Sequence, residues 1–195
     1  MKGLSLSNLL VRLLVISVLC IQCAESPSYE EVVDRELSSG ERHDSLFMGI
    51  HLNMHMQTFY DHCYDLNQKR VFFKKEGSVN VQYTFQKAFS SPVDFVFFPQ
   101  GGHTLIQKVK GYMIFQKWAP FTNEFTAGKL QEQLKEEMES WYGGRPFIQV
   151  EHPLGYWPYS YVKVDGNRKI QLYRSFDDSK VEVVFEDLAP VLSSR

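Results

Sequence analysis

From Gly49 onward the chain repeats with period two. Leu52, Met54 and Met56 alternate with His51, Asn53, His55 and Gln57, the pattern of a strand with one buried face. Further short runs rich in β-branched and aromatic residues follow: VFF at 71–73, VNVQYTF at 79–85 and VDFVFF at 93–98. Turn residues separate them: EGS before the second, FSSP before the third and PQGG after it. A weaker strand is expected over Tyr112 to Trp118. The C-terminal part offers YSYVKV at 159–164, KIQLYR at 169–174 and KVEVVFEDL at 180–188, with Asp165-Gly166-Asn167 as a hairpin turn between the first two. Many short strands joined by turns predict a mostly β fold, an antiparallel sandwich of jelly-roll type.

One segment changes period. In TAGKLQEQLKEEMESWYGG, Leu130, Leu134, Met138 and Trp141 fall at helical spacing, Thr126 can cap the start, and Gly143-Gly144 can end it in a left-handed turn. The apolar stripe is narrow. A single inserted amphipathic helix lying on the sandwich is the expectation, its stripe packed inward or shown to a partner.

The N-terminus reads differently. Lys2 and Arg12 supply positive charge ahead of a short apolar run from Leu13 to Ile21, and small residues follow at Cys23 and Ala24, as in a secretory signal peptide over residues 1–24. That run is too short to span a bilayer, and no later segment approaches ~20 consecutive apolar residues. The expected compartment is therefore the extracellular space or the lumen of the ER and Golgi. Residues 25–45 are polar with little periodicity and read as a flexible arm with a helical turn in its middle; a single domain should occupy 46–190, with a tail at 191–195.

Composition excludes more than it selects. The net charge of −2 falls further once Lys2 and Arg12 are removed, so a footprint for nucleic acid is lacking. Cleavage after Ala24 leaves Cys63 as an odd thiol, whereas cleavage after Cys20 retains Cys23 as a possible partner. No Asn-x-Ser/Thr sequon occurs.

Candidate chemistry concentrates in HLNMHMQTFYDHC, which holds His51, His55, His62 and Cys63. His51 and His55 share the i, i+4 spacing of zinc ligands on a helix, but Leu52 stands where a zincin needs Glu. On a strand they point the same way about 13 Å apart, too far for one ion. No metal or other cofactor is expected, and the histidines are assigned to the polar face of an early strand. Nucleophile elbow, P-loop and Rossmann patterns are all missing. His62 and Cys63 would face opposite ways on a strand, and the acidic neighbours Asp177-Asp178 and Glu136-Glu137 suit solvated turns and helix faces. The reading is non-enzymatic.

For binding, the stretch EHPLGYWPYSY at 151–161 stands out. Tyr156, Trp157 and Tyr159 lie among prolines and a glycine, a composition suited to a rigid loop with large amphipathic side chains. Together with Trp141 they are the candidate partner-binding residues. The alternative for Trp157 is a plug for one end of the core.

The order of these pieces resembles a known family. Leu52, Met54 and Met56 followed by Cys63-Tyr64, then SVNVQYTF, then SPVDFVFFPQGG, and finally VEVVFEDL resemble in sequence the strands of the GOLD (Golgi dynamics) domain of early secretory pathway cargo receptors. The resemblance covers 50–106 and 159–188, with an insertion at about 107–158. It implies a lumenal binding module for protein or glycoconjugate partners, possessing no catalytic residues. The chain departs from the family in three respects: Leu172 and Tyr173 stand where a second cysteine is expected, the insertion is long, and the protein is expected to lack the coiled coil, transmembrane helix and coat-binding tail that follow the last strand in the receptors. Coat binding is not carried over. The competing class, a carrier of a small apolar ligand inside the β core, needs small or polar inward residues, whereas Phe85, Phe95, Phe97 and Phe185 are bulky.

Overall fold

The computed structural model describes residues 27–189 except 76, 78, 79, 102, 103 and 120–122. The signal-peptide assignment over 1–24 and the 191–195 tail lie outside the described residues. Eight strands form one antiparallel sheet: β1 Phe73–Lys74, β2 Val81–Phe85, β3 Val93–Gly101, β4 Ile106–Phe115, β5 Ile148–Val150, β6 Ser160–Asp165, β7 Arg168–Arg174 and β8 Val181–Asp187. Their order across the sheet is β1-β2-β3-β4-β8-β7-β6-β5. Among the described residues three helices accompany them: α1 Tyr29–Ser38, α2 Met56–Gln68 and α3 Ala127–Tyr142. The fold is thus mostly β and antiparallel with an inserted amphipathic helix, in agreement with the sandwich architecture expected from the sequence.

Alternation decides which face is which. Val93, Phe95 and Phe97 of β3, Val109 and Met113 of β4, and Val181, Val183 and Phe185 of β8 all point to one side and are buried. On that side α3 lays down Leu130, Leu134 and Met138, spaced by four residues so that they share a face. Thr126 caps α3 by accepting from the Lys129 N–H at 3.3 Å, and Gly143 ends it at φ 58°. Phe47, Phe59 and Phe72 close the layer around Phe97 with edge-on ring contacts. Of the four phenylalanines expected inward, Phe95, Phe97 and Phe185 are fully buried and Phe85 is half-buried.

Three expectations need correction. Residues 51–57 do not form a strand: after two isolated bridges and turns at 45–55, α2 begins at Met56. Met56, Phe59, Cys63 and Leu66 recur at helical spacing and face the core, and this longer periodicity overrides the brief alternation before it. The helical turn expected within the arm is a packed helix of ten residues, Tyr29–Ser38. Ser28 and Glu31 make a reciprocal capping box, and α1 packs Val32 against Val162, Val164 and Leu188 on the outer face of the sheet. Finally, the stretch at 107–158, expected as an insertion between the two GOLD-like blocks, contributes β4, which pairs with β3 and β8 near the middle of the sheet. Gly111 interrupts the apolar alternation there because a Cβ would lie 2.4 Å from the Val96 carbonyl oxygen.

Candidate binding surface

The chain leaving β5 crosses the end of β7 before turning into β6, and buried polar contacts fix its path. His152 is buried. Its Nδ1 accepts the Leu154 N–H at 3.2 Å, so the proton sits on Nε2, which donates to the Arg174 carbonyl at 3.0 Å. Three residues on, Gly155 takes φ +68°, and its N–H returns to the His152 carbonyl at 3.0 Å. This tight turn brings Trp157 back over β7. There the indole N–H donates to the Ser175 carbonyl at 2.9 Å, and the Arg174 guanidinium lies 3.7 Å from the ring centre.

Arg174 is itself wedged. Its Nη1 sits 3.5 Å from Asp178 Oδ1 and only 3.0 Å from where a Cβ on Gly128 would stand, so the missing side chain in the first turn of α3 leaves it room. The β7–β8 turn is equally tied down. Asp177 Oδ1 accepts the hydroxyls of Ser175 at 2.7 Å and Ser179 at 2.8 Å, which hold its carboxyl below the usual carboxylate value. Burial instead pushes the neighbouring Asp178 carboxyl up, against the pull of Arg174.

Upon this support stand three large side chains in water. Leu154 is 60% exposed, Tyr156 53% and Phe176 76%, and the Tyr156 and Phe176 rings meet edge-on at 5.3 Å. Phe176 was not among the residues expected from the sequence. The signal was present in YRSFDDSK, where one aromatic sits at a tight turn of serines and aspartates and therefore has no core to reach.

The four expected residues part company. Tyr156 belongs to the exposed patch, Trp157 is the half-buried clamp beneath it, and Tyr159 turns inward against the main core, 5.3 Å from the Tyr161 ring. Trp141 lies elsewhere. It stacks on Phe85 at 5.4 Å, 42% exposed near the end of α3, whereas Arg174 adjoins Gly128 at the start, about 20 Å away along the helix.

The histidines of the early segment also separate. His51 Nδ1 contacts the Leu52 carbonyl, His55 is the N-cap of α2 without a side-chain bond, and His62 Nε2 reaches the Met48 carbonyl at 2.7 Å. Among the described residues no group of three or more His, Cys, Asp or Glu side chains is placed to hold a metal ion. Cys63 is a buried free thiol, and desolvation pushes it up to about 12. No helix among the described residues is long and apolar enough to cross a membrane.

Compared with protein-family models, with curated proteins and with solved structures, the chain matches none.

Proposed function

We propose that this protein is a non-enzymatic binding module, a GOLD-like domain of the secretory pathway or extracellular space, that recognises a protein or glycoconjugate partner through the patch of Leu154, Tyr156 and Phe176. The observation that carries this reading is the contrast between exposure and support: three large apolar side chains stand in water on two turns whose backbones are fixed by His152, Trp157 and Asp177. A rigid aromatic patch binds with little ordering cost, and aromatics dominate the energetics of interfaces. The carrier alternative draws less support, since Phe95, Phe97 and Phe185 fill the inner face where a ligand cavity would lie.

The test is cross-linking in the secretory pathway with the Tyr156→Ala, Phe176→Ala double variant beside the unaltered protein. Loss of the cross-linked partner with an unchanged melting temperature supports the reading. Retention of the partner by the double variant overturns the patch assignment, and an uncleaved N-terminus found in cytosol overturns the compartment.

A further inference from the structure

β5 is the last strand of the sheet and, among the described residues, pairs on one side only, with β6. A cavity of about 620 Å³ adjoins it, lined by Pro27, by Val32 and Arg35 of α1 and by consecutive residues 145–149. Phe147 belongs to the core of the inner face and Ile148 to the cluster around Val32 on the outer face, yet both line this cavity. A space reached from both faces lies at the strand's edge, where its unpaired N–H and C=O groups point.

Arg35 and Arg145 line the cavity, with side chains 46% and 49% exposed, and both converge on Glu36 Oε1: Arg145 Nε donates to it, and Arg35 Nε is 3.8 Å away. The other oxygen of Glu36 accepts the Gly166 N–H at 3.2 Å. One carboxylate thus serves two guanidiniums. A second cavity, of about 470 Å³, lies over the outer face between the start of α1 and strands β5 to β7, lined by Glu30, Glu151 and Lys169 among others. Along the chain, β5 is bracketed by Arg145 ahead of it and Glu151 just after it.

We propose that this edge takes an extended peptide segment of a partner protein, added antiparallel to β5, with a carboxylate at its C-terminal end held by Arg35 and Arg145. Antiparallel addition continues the pattern of every other pair in the sheet and places the peptide's C-terminal end beside Arg145. The ladder would supply main-chain hydrogen bonds, Val32 and Ile148 an apolar seat for one side chain, and the guanidiniums a charge-assisted clamp. An amphiphile such as a fatty acid could use the clamp and the apolar seat but would leave the backbone groups of β5 unmatched. This site shares no residue with the Leu154, Tyr156 and Phe176 patch, so the two stand or fall separately.

The experiment selects a random-heptapeptide library, displayed with free C-termini, against the full chain, followed by amide exchange of the protein with the synthesised winner. Expected are winners dependent on a terminal or near-terminal carboxylate, slowed exchange in Ile148–Val150, and affinity weakened about tenfold by C-terminal amidation or by Arg35→Gln. Arg35→Gln leaves the Arg145–Glu36 pair in place, so its melting temperature should stay within about 2 °C. Failure to enrich any peptide, equal binding to the variant and of the amide, or protection at Tyr156 and Phe176 instead would each overturn the proposal. Amides of β5 protected before peptide is added, and released by deleting the residues ahead of Pro27, would overturn it in favour of an intramolecular occupant.

Discussion

The Arg174 guanidinium carbon lies over the Trp157 ring, 3.7 Å from its centre, and the same indole is anchored by its N–H to the Ser175 carbonyl. Trp157 therefore belongs to the support of the patch. Trp157→Ala should cost about 2 kcal/mol, from the lost stacking, the orphaned carbonyl and reduced burial. Tyr156→Ala, half in water, should change stability by less than about 0.5 kcal/mol. Thermal unfolding of the two variants checks the difference, and equal melting temperatures would remove Trp157 from the support.

A second prediction concerns Lys163, whose side chain is fully buried. Its ammonium donates to the Gly143 and Arg145 carbonyls and lies 2.9 Å from Asp165 Oδ1, joining the end of α3 to β6. Lys163→Met keeps the volume but strands those acceptors away from water. The expected loss is about 3 kcal/mol, read as a lower urea midpoint with an unchanged slope.

Acid should destabilise the fold. Burial alone would raise the Asp187 carboxyl, but hydrogen bonds from Asn167, Asn53, the Ala189 N–H and Arg42 outweigh it and hold the group below its ordinary value. Lys108 and Lys169 do the same for Glu186. A carboxyl depressed in the folded state contributes stability that is present above its unfolded value, about 4, and is lost as pH falls through the folded value. Asp178, raised by burial, works in the opposite sense and offsets part of the loss. The melting temperature should therefore drop between about pH 5 and pH 3, and Asp187→Asn should flatten that slope. A pH-independent melting temperature across this range would show that the network contributes nothing.

Cys63 should be inert while the protein is folded. With its thiol pushed up to about 12 by burial, almost no thiolate exists at pH 8. Iodoacetamide should leave it unmodified in buffer and alkylate it completely in guanidinium, as mass spectrometry would record. Rapid labelling of the native protein would show that α2 opens far more readily than its packing implies.

Much of the architecture was legible because residues reported their own faces. VDFVFF, KIQLYR and KVEVVFEDL became β3, β7 and β8, and Thr126 and Gly143 bound α3 as read. The misreadings have physical causes. Alternation over Leu52, Met54 and Met56 is also compatible with a turn that buries every second residue, so only the spacing beyond Gln57 could reveal α2. The full extent of α1 was hidden because one of its two buried anchors is Glu36, a charged residue invisible to a search for apolar positions. The candidate site was half legible: composition located the 151–161 loop, but nothing local tells that Trp157 bends down onto Arg174 while Phe176, from another turn, rises beside Tyr156.

The order of strands carries a consequence for biosynthesis. The first four strands and the last four are two meanders, and they meet only where β4 pairs with β8. A ribosome delivering this chain from its N-terminus releases β1 to β4 long before their neighbour exists, with β4 held as an open edge through the making of α3 and three more strands. Vectorial synthesis therefore gives no stepwise completion of the sheet. Until Val181–Asp187 emerges, the inner phenylalanines of both halves remain clients for chaperones, and a ribosome stalled ahead of that strand yields two unsealed halves in place of a shorter domain.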